Sequence, residues 1–355
     1  GCTGSQYPSF ASMADRKWHG TEKFQYRGTF VPLRKLLSIG MEQPAGNKIT
    51  GNPSSHPALS VKWMEDFPDI PLNRNEAYKL RVTSKGVEIE AITETGVYRA
   101  IQTLRQLTEK KGNGIAITGC EITDWPAFRI RGFMQDVGRT YISTDELKRE
   151  IAILARYKIN VFHWHLTENQ AWRLQSKVFP MLNDSVNTTR QPGKYYTLEE
   201  ARELAAFCKQ HHVLLIPEIN MPGHSAAFVR TFRHDMQSPE GMKILKLLID
   251  EVCETFDVPY LHIGTDEVQF TNPDFVPEMV AYVRSKGKKV ISWNPGWHYK
   301  PGEIDMTHLW SLPRKSPERD SGDRLPFPLS EPFRHVCRPL RPLQQPHLQR
   351  AAEQR

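Results

Sequence analysis

Asp266 and Glu267 stand side by side at the end of a short apolar run, in the stretch YLHIGTDEV that begins at Tyr260. Neighbouring carboxylates suit a reaction in which one group carries a proton while the other stays ionised. Glu267 is the candidate general acid and base, which requires a pKa raised by burial and by a nearby negative charge, supplied by Asp266. An arbitrary Asp-Glu pair is more often two solvated acids, so the pair needs company. His224, after Met221-Pro222-Gly223, can orient either carboxylate or be a loop histidine satisfied by its neighbours. Arg131 presents a fixed donor fork for paired oxygens, or is simply part of a basic run with Arg129. Trp293 and Trp310 offer indole faces for a ligand, or belong to the core. His163 and His165 sit at i, i+2, which on a strand turns both imidazoles to one face and suits a metal.

Asp266, Glu267, His224, Trp293 and Trp310 fall where strands end. Short apolar strands are predicted at 130–137, 160–166, 213–219, 260–264, 289–293 and 306–310, with helices at 144–157, 198–211 and 242–255 between them. Such alternation predicts an α/β fold, a parallel (β/α)8 TIM-type barrel that carries its chemistry at the C-terminal strand ends. Only six strands are read where a closed barrel needs eight. A small α+β domain precedes it: residues 86–96 alternate as a half-buried strand should, and a helix is predicted from Val97 to Gly112. The expected organisation is a polar tether at 1–23, the small domain at 24–123, an incomplete barrel at 124–311 and a Pro/Arg-rich tail at 312–355.

Four segments together resemble glycoside hydrolase family 20, the β-N-acetylhexosaminidases. YLHIGTDEV is similar to the family signature His-x-Gly-(Gly/Ser/Thr)-Asp-Glu. PAFRIRGFMQDVGR (126–139) resembles its first barrel strand, with Arg131 at the sugar-binding arginine. NVFHWHLTENQAWR (160–173) resembles the second strand and its loop, and IPEINMPGH (216–224) the third, ending in the active-site histidine. The resemblance runs from about residue 24 to 311. It implies an exo-acting, retaining hydrolase that removes terminal β-linked GlcNAc or GalNAc from glycans. The nucleophile would be the substrate's own 2-acetamido oxygen, forming an oxazolinium ion, a known exception to the two-carboxylate rule. Asp266 would then accept the acetamido N–H and stabilise the developing positive charge. Arg131, Glu168, His224, Trp293 and Trp310 would bind the sugar. The paired histidines would pack beneath the pocket, with no cofactor and no metal. One departure lies inside the motifs: many members have Asp-Asp-Gln where this chain has Glu168-Asn169-Gln170, which keeps the first carboxylate and removes the second.

Composition is that of an ordinary soluble globular protein, 39% hydrophobic and 25% charged. The net charge of +7 is concentrated in the tail, where nine Lys/Arg face five Asp/Glu, so nucleic acid is not an expected partner. No apolar run is long enough to span a bilayer. The five cysteines form no paired framework; Cys208 and Cys253 read as buried thiols. Gly1-Cys2 resembles the end of a bacterial lipoprotein signal, or is accidental; it implies an extracytoplasmic protein, at the periplasm or cell surface, lipid-anchored at Cys2.

The tail holds eight of the 26 prolines and no strand or helix period. Reading the codons of Pro328 to Pro346 one base later yields, with suitable synonymous choices, a Tyr-x-Asn strand end and an amphipathic helix. An out-of-frame segment beginning near Ser311-Leu312 is therefore expected. Two rival functions follow: a catalytically dead sugar-binding remnant, and a metal-dependent amidohydrolase built on His163 and His165. The latter would need further ligands on later strands, where His262 and His308 form no coherent set by spacing.

Overall fold

The computed structural model describes residues 30–32, 58–83, 86–111 and 114–310. Cys2, the 1–23 tether and the 312–355 tail lie outside the described residues, as does the proposed change of frame.

The small domain contains strands β1 (Phe30–Pro32), β2 (Ala58–Trp63), β3 (Tyr78–Thr83) and β4 (Gly86–Ala91), then helix α1 (Glu94–Gln106), then strands β5 (Thr108–Lys111), β6 (Gly114–Ile117) and β7 (Cys120–Asp124). The main sheet has the order β1-β2-β4-β3-β7, and β5 pairs with β6 as a separate hairpin. Alternation in β3 and β4 turns Tyr78, Leu80, Val82, Val87 and Ile89 inward, where they meet Val97, Ile101 and Leu104 of α1. The Thr93 side chain caps α1 by accepting from the Gly96 amide. Gly96 lets the helix approach closely, since a Cβ there would collide with the Ala77 carbonyl. The helix is shorter than the sequence predicts. After Leu107 no apolar residue follows until Ile115, so a further turn would have nothing to bury, and the chain forms the β5–β6 hairpin instead.

The barrel portion runs β8 (Gly132–Asp136), α2 (Thr144–Arg156), β9 (Val161–His165), α3 (Leu198–Gln210), β10 (Leu214–Met221), α4 (Ala226–Phe232), α5 (Pro239–Thr255), β11 (Tyr260–Gly264), α6 (Phe275–Ser285), β12 (Lys289–Asn294) and β13 (Met306–Leu309). All six strands are parallel and pair in chain order, from β8 at one edge to β13 at the other. The result is a partial TIM-type barrel, open between its first and last described strands. Helix α2 begins at Thr144 as the sequence predicts, and Ser143 caps it in a full capping box with Glu146. Helix α5 starts three residues before the predicted Met242, because Ser238 caps it and Pro239 fits its first turn.

The inner face of the sheet is layered. Val161, Ile216 and Ile291 close the N-terminal end with Ile130, Tyr260 and Met306. Above them the interior turns polar, with His163, His165, Glu218 and His262 buried. Its outer face carries the main core, where α2, α3, α5 and α6 cover Phe162, Trp164, Leu215, Ile219, Leu261 and Ile263.

Glu76 joins the small domain to the barrel. It accepts from Arg99 Nε at 2.9 Å, Arg131 Nη2 at 2.5 Å and Asn160 Nδ2 at 2.9 Å. Burial alone would raise the Glu76 pKa, but the charges of Arg99 and Arg131 outweigh it and lower it. Removing this carboxylate strands two guanidiniums, one of them almost wholly buried. Glu76→Gln should therefore cost about 3–5 kcal/mol in denaturant unfolding. A loss no larger than that of breaking the exposed Lys62–Glu90 pair would show that the network does not hold the two domains together.

Candidate active site

The polar residues at the C-terminal strand ends form one connected set. Glu168, just beyond β9, is buried and places Oε1 2.5 Å from Arg139 Nη2 and 2.5 Å from His224 Nδ1. The opposite ring nitrogen of His224 lies 3.5 Å from Asp266 Oδ2 and 3.4 Å from Glu267 Oε2. Asn220, on β10, donates from Nδ2 to Asp266 Oδ1 at 2.9 Å and takes its own backbone bond from N–H to Thr167 Oγ1 at 2.9 Å. Arg139 is held from behind by Asp136, its Nη1 2.5 Å from Oδ2. One imidazole, from the end of β10, thus links three carboxylates from the ends of its two neighbouring strands, β9 and β11.

Local backbone geometry makes this contact. His224, Thr265 and Glu267 all have positive φ, 50°, 82° and 49°, which non-glycine residues rarely adopt. Such conformations cost about 1–3 kcal/mol each and persist only where the surroundings hold them. Gly264, at φ 70°, leaves room for the Asn220 side chain, which a Cβ would strike. Gly223 similarly lets the β10 loop press against the Asp266 carbonyl and Val268. The β10 and β11 loops are interlocked, and the carboxylate pair is held by that contact.

Hydrogen bonding to Asp266, then to Glu168, raises the His224 pKa to about 10, against the opposing effect of burial. His224 is therefore an imidazolium at neutral pH.

Beneath lies a second buried group. Glu218 is fully enclosed, with Oε2 2.6 Å from His163 Nε2 and 3.3 Å from His165 Nδ1, while Trp293 Nε1 donates to Oε1 at 2.8 Å. Burial alone would raise the Glu218 pKa, but the His165 charge overcomes it and holds the carboxyl well below its usual range. Burial likewise opposes charge on His165, yet Glu218 raises its pKa to about 9. Burial pushes His262 well below the ordinary histidine range and His308 down to about 4.

Three expectations need correction. Arg131 precedes β8, so it lies at the N-terminal end of a parallel strand, opposite the carboxylates. Its guanidinium is committed to Glu76 and to the Lys158 and Phe128 carbonyls. The arginine at the correct end is Arg139, three residues past β8, within the same motif. Trp293 is buried, its N–H on Glu218 and its ring stacked 4.2 Å from His308, so it presents no open face to a ligand. The side chain of Glu267 is 56% exposed, where the general-acid assignment expected burial, because no described residue closes over the β11 loop. Trp310 is exposed and donates its N–H to the Pro295 carbonyl. Asp136, Glu218 and Asn220 were not singled out from sequence. Each occupies an inward-facing strand position, the signal that could have found them.

A partial parallel barrel with linked carboxylates at its strand ends suits acid–base hydrolysis but does not by itself select the bond that is cleaved. Residues 128–240 match the family model "Glycosyl hydrolase family 20, catalytic domain", and residues 34–125 match "Glycosyl hydrolase family 20, domain 2". A beta-hexosaminidase of Porphyromonas gingivalis is 33% identical over 66% of this chain and 34% of its own length. A beta-N-acetylhexosaminidase of Cellulomonas fimi is 31% identical over 66% of this chain and 53% of its own. Among solved structures, a mutant Streptomyces plicatus beta-hexosaminidase in complex with product (GlcNAc) superposes with a TM-score of 0.65 at 26% identity, covering 80% of this chain and 62% of that one. The chain belongs to glycoside hydrolase family 20. It spans about a third to a half of the length of these curated relatives.

The His224 cluster predicts a pH dependence of stability. A raised folded-state pKa contributes stability that is fully present below the unfolded value of 6.5 and is lost as pH rises through about 10. Stability measured across that window should fall with pH in the unaltered chain and fall less steeply in His224→Gln, where His165, raised to about 9, supplies the slope that remains. An imidazole that titrates near its ordinary value by NMR would show that the three carboxylates do not hold its proton.

Proposed function

We propose that this site performs retaining, exo-acting hydrolysis of terminal β-linked N-acetylhexosamine with the substrate's acetamido group as nucleophile. The observation that carries this reading is the continuous path Arg139–Glu168–His224–Asp266/Glu267 along the C-terminal ends of consecutive strands. In the proposed reaction Glu267 gives its proton to the glycosidic oxygen as the bond to the anomeric carbon breaks. The acetamido carbonyl oxygen closes on that carbon, and the aglycone leaves as an alcohol. Asp266, fixed by Asn220 and His224, accepts the acetamido N–H and faces the positive charge of the oxazolinium. Glu267, now a carboxylate, takes a proton from the water that reopens the ring, restoring the starting state. Arg139, backed by Glu168 and Asp136, takes the sugar-hydroxyl role expected of Arg131. Bound sugar would cover the exposed face of Glu267 and supply the desolvation its role needs.

The exposure of Glu267 favours a second reading, a site that binds N-acetylhexosamine without turnover. Hydrolysis of an aryl N-acetyl-β-glucosaminide by the purified chain separates the two, since binding without release of the phenol supports only the second. If the first holds, Glu267→Gln should keep sugar binding and lose roughly 10²–10⁴ in turnover. Near-normal turnover on an unactivated disaccharide would end the assignment.

Substrate assistance has its own signature. A thiazoline analogue of the intermediate should inhibit, plain β-glucosides should be nearly inert, and Asp266→Asn should slow chiefly the ring-closing step. Trapping a glycosyl ester on any protein carboxylate would refute the mechanism.

A further inference from the structure

His224 brings a ring nitrogen to the gap between Asp266 and Glu267. Its Nε2 lies 3.5 Å from Asp266 Oδ2 and 3.4 Å from Glu267 Oε2, and one donor atom from each residue lies within 4.8 Å of the other two. Nitrogen and oxygen ligands about 2.0–2.2 Å from a tetrahedral zinc ion stand roughly 3.3–3.5 Å from one another. Two of the three separations therefore already match. The tautomer matches as well. Glu168 Oε1, which also pairs with Arg139, stands 2.5 Å from His224 Nδ1. A carboxylate only accepts, so Nδ1 keeps its hydrogen and Nε2 is the nitrogen that can offer a lone pair. A buried carboxylate behind the far nitrogen is the arrangement that orients a ligating histidine and strengthens it as a ligand. Asn220 Nδ2 occupies Asp266 Oδ1, which leaves Oδ2 facing the gap. Arg139 is matched by Asp136 and Glu168, so the Asp266-Glu267 pair keeps its negative charge for a cation.

We propose that His224, Asp266 and Glu267 bind one divalent transition metal ion of the zinc class, and that this ion blocks hydrolysis. An imidazole with two carboxylates suits zinc, whereas magnesium and calcium take oxygen shells. The ion would take the place of the proton on Nε2 and leave a fourth position for water. The side chain of Glu267 is 56% exposed, which gives the ion a direct route from solvent. Binding does not rest on the glycosidase reading, but the inhibitory half does. A metal-bound Glu267 cannot carry the proton that the leaving group needs, and a metal-bound Asp266 is no longer free to accept the acetamido N–H. The ion is thus an inhibitor competing with the sugar for the same two carboxylates, not a cofactor.

The test uses the whole 355-residue chain, stripped with chelator and titrated with cobalt(II), then with zinc as competitor. Expected are one equivalent bound, the visible absorption of four-coordinate cobalt, its loss on adding zinc, and a higher melting temperature with either ion. Glu267→Gln should abolish the band, Glu168→Gln should weaken binding roughly 10–100-fold, and exposed His234→Ala should change nothing. Zinc-edge X-ray absorption on the unaltered chain should show one imidazole and two carboxylates, a readout independent of how any variant folds. His163, His262 and His308 form the competing cluster. Absence of binding, sulfur or several imidazoles in the shell, or binding that survives Glu267→Gln but fails in His308→Asn would each overturn the site. Zinc should also inhibit release of the phenol from an aryl N-acetyl-β-glucosaminide, competitively with substrate, and non-competitive inhibition would overturn the blocking role. A chain that binds zinc as described yet hydrolyses nothing keeps the site and sinks the glycosidase reading. Hydrolysis that zinc leaves untouched sinks the inhibitory role alone.

Discussion

A carboxylate with no access to water, Glu218, sits at the centre of the sheet, and the surrounding interior is organised to keep it charged. An isolated ionised carboxylate in such a place is strongly unfavourable, so partners must come from several strands at once. His165 supplies the opposing charge, His163 the close contact and Trp293 a neutral donor. Those partners lie on β9 and β12, with Glu218 itself on β10. Satisfying one buried charge thereby sets how these strands align across the sheet. It also explains why Trp293, at a strand end that invites a ligand-binding interpretation, turns its indole inward.

The layer above works on a different balance. There the groups other than Glu168 are only partly enclosed, and the linking cation is His224 rather than a fully buried histidine. Glu168 lies beneath it, while Asp266 and Glu267 share its far nitrogen. Two carboxylates that close would repel one another strongly without a cation beside them. The left-handed backbone at His224, Thr265 and Glu267 is held by the interlocked loops, so the strain and the electrostatic gain come from one contact. Asn220 adds a neutral donor to Asp266, fixing that carboxylate without adding charge.

At the opposite end, the Glu76 network performs a purely architectural task. Arg99 from the small domain and Arg131 from the barrel converge on one carboxylate, and Asn160 completes it. The two guanidiniums are brought together only because Glu76 lies between them. The small domain thereby packs on the N-terminal side of the sheet, away from the candidate site. Through Arg131 this contact reaches the residue that leads into β8.

Strand and helix positions, the α/β class, the six barrel strands found among the described residues and the motif carrying Asp266-Glu267 were all legible in the sequence. Each depends on local period or on residues adjacent in the chain, and local pattern survives without tertiary information. Strand polarity was legible too, and applied to Arg131 and Arg139 it would have separated them, since one precedes β8 and the other follows it. What spacing could not supply was the convergence of His163, His262 and His308, which are far apart in sequence and meet only because alternate parallel strands turn the same face inward. Nor could it give the burial of Trp293 or the exposure of Glu267. Burial is a property of what packs over a residue, and here the deciding neighbours are a carboxylate on β10 for one and an open loop for the other.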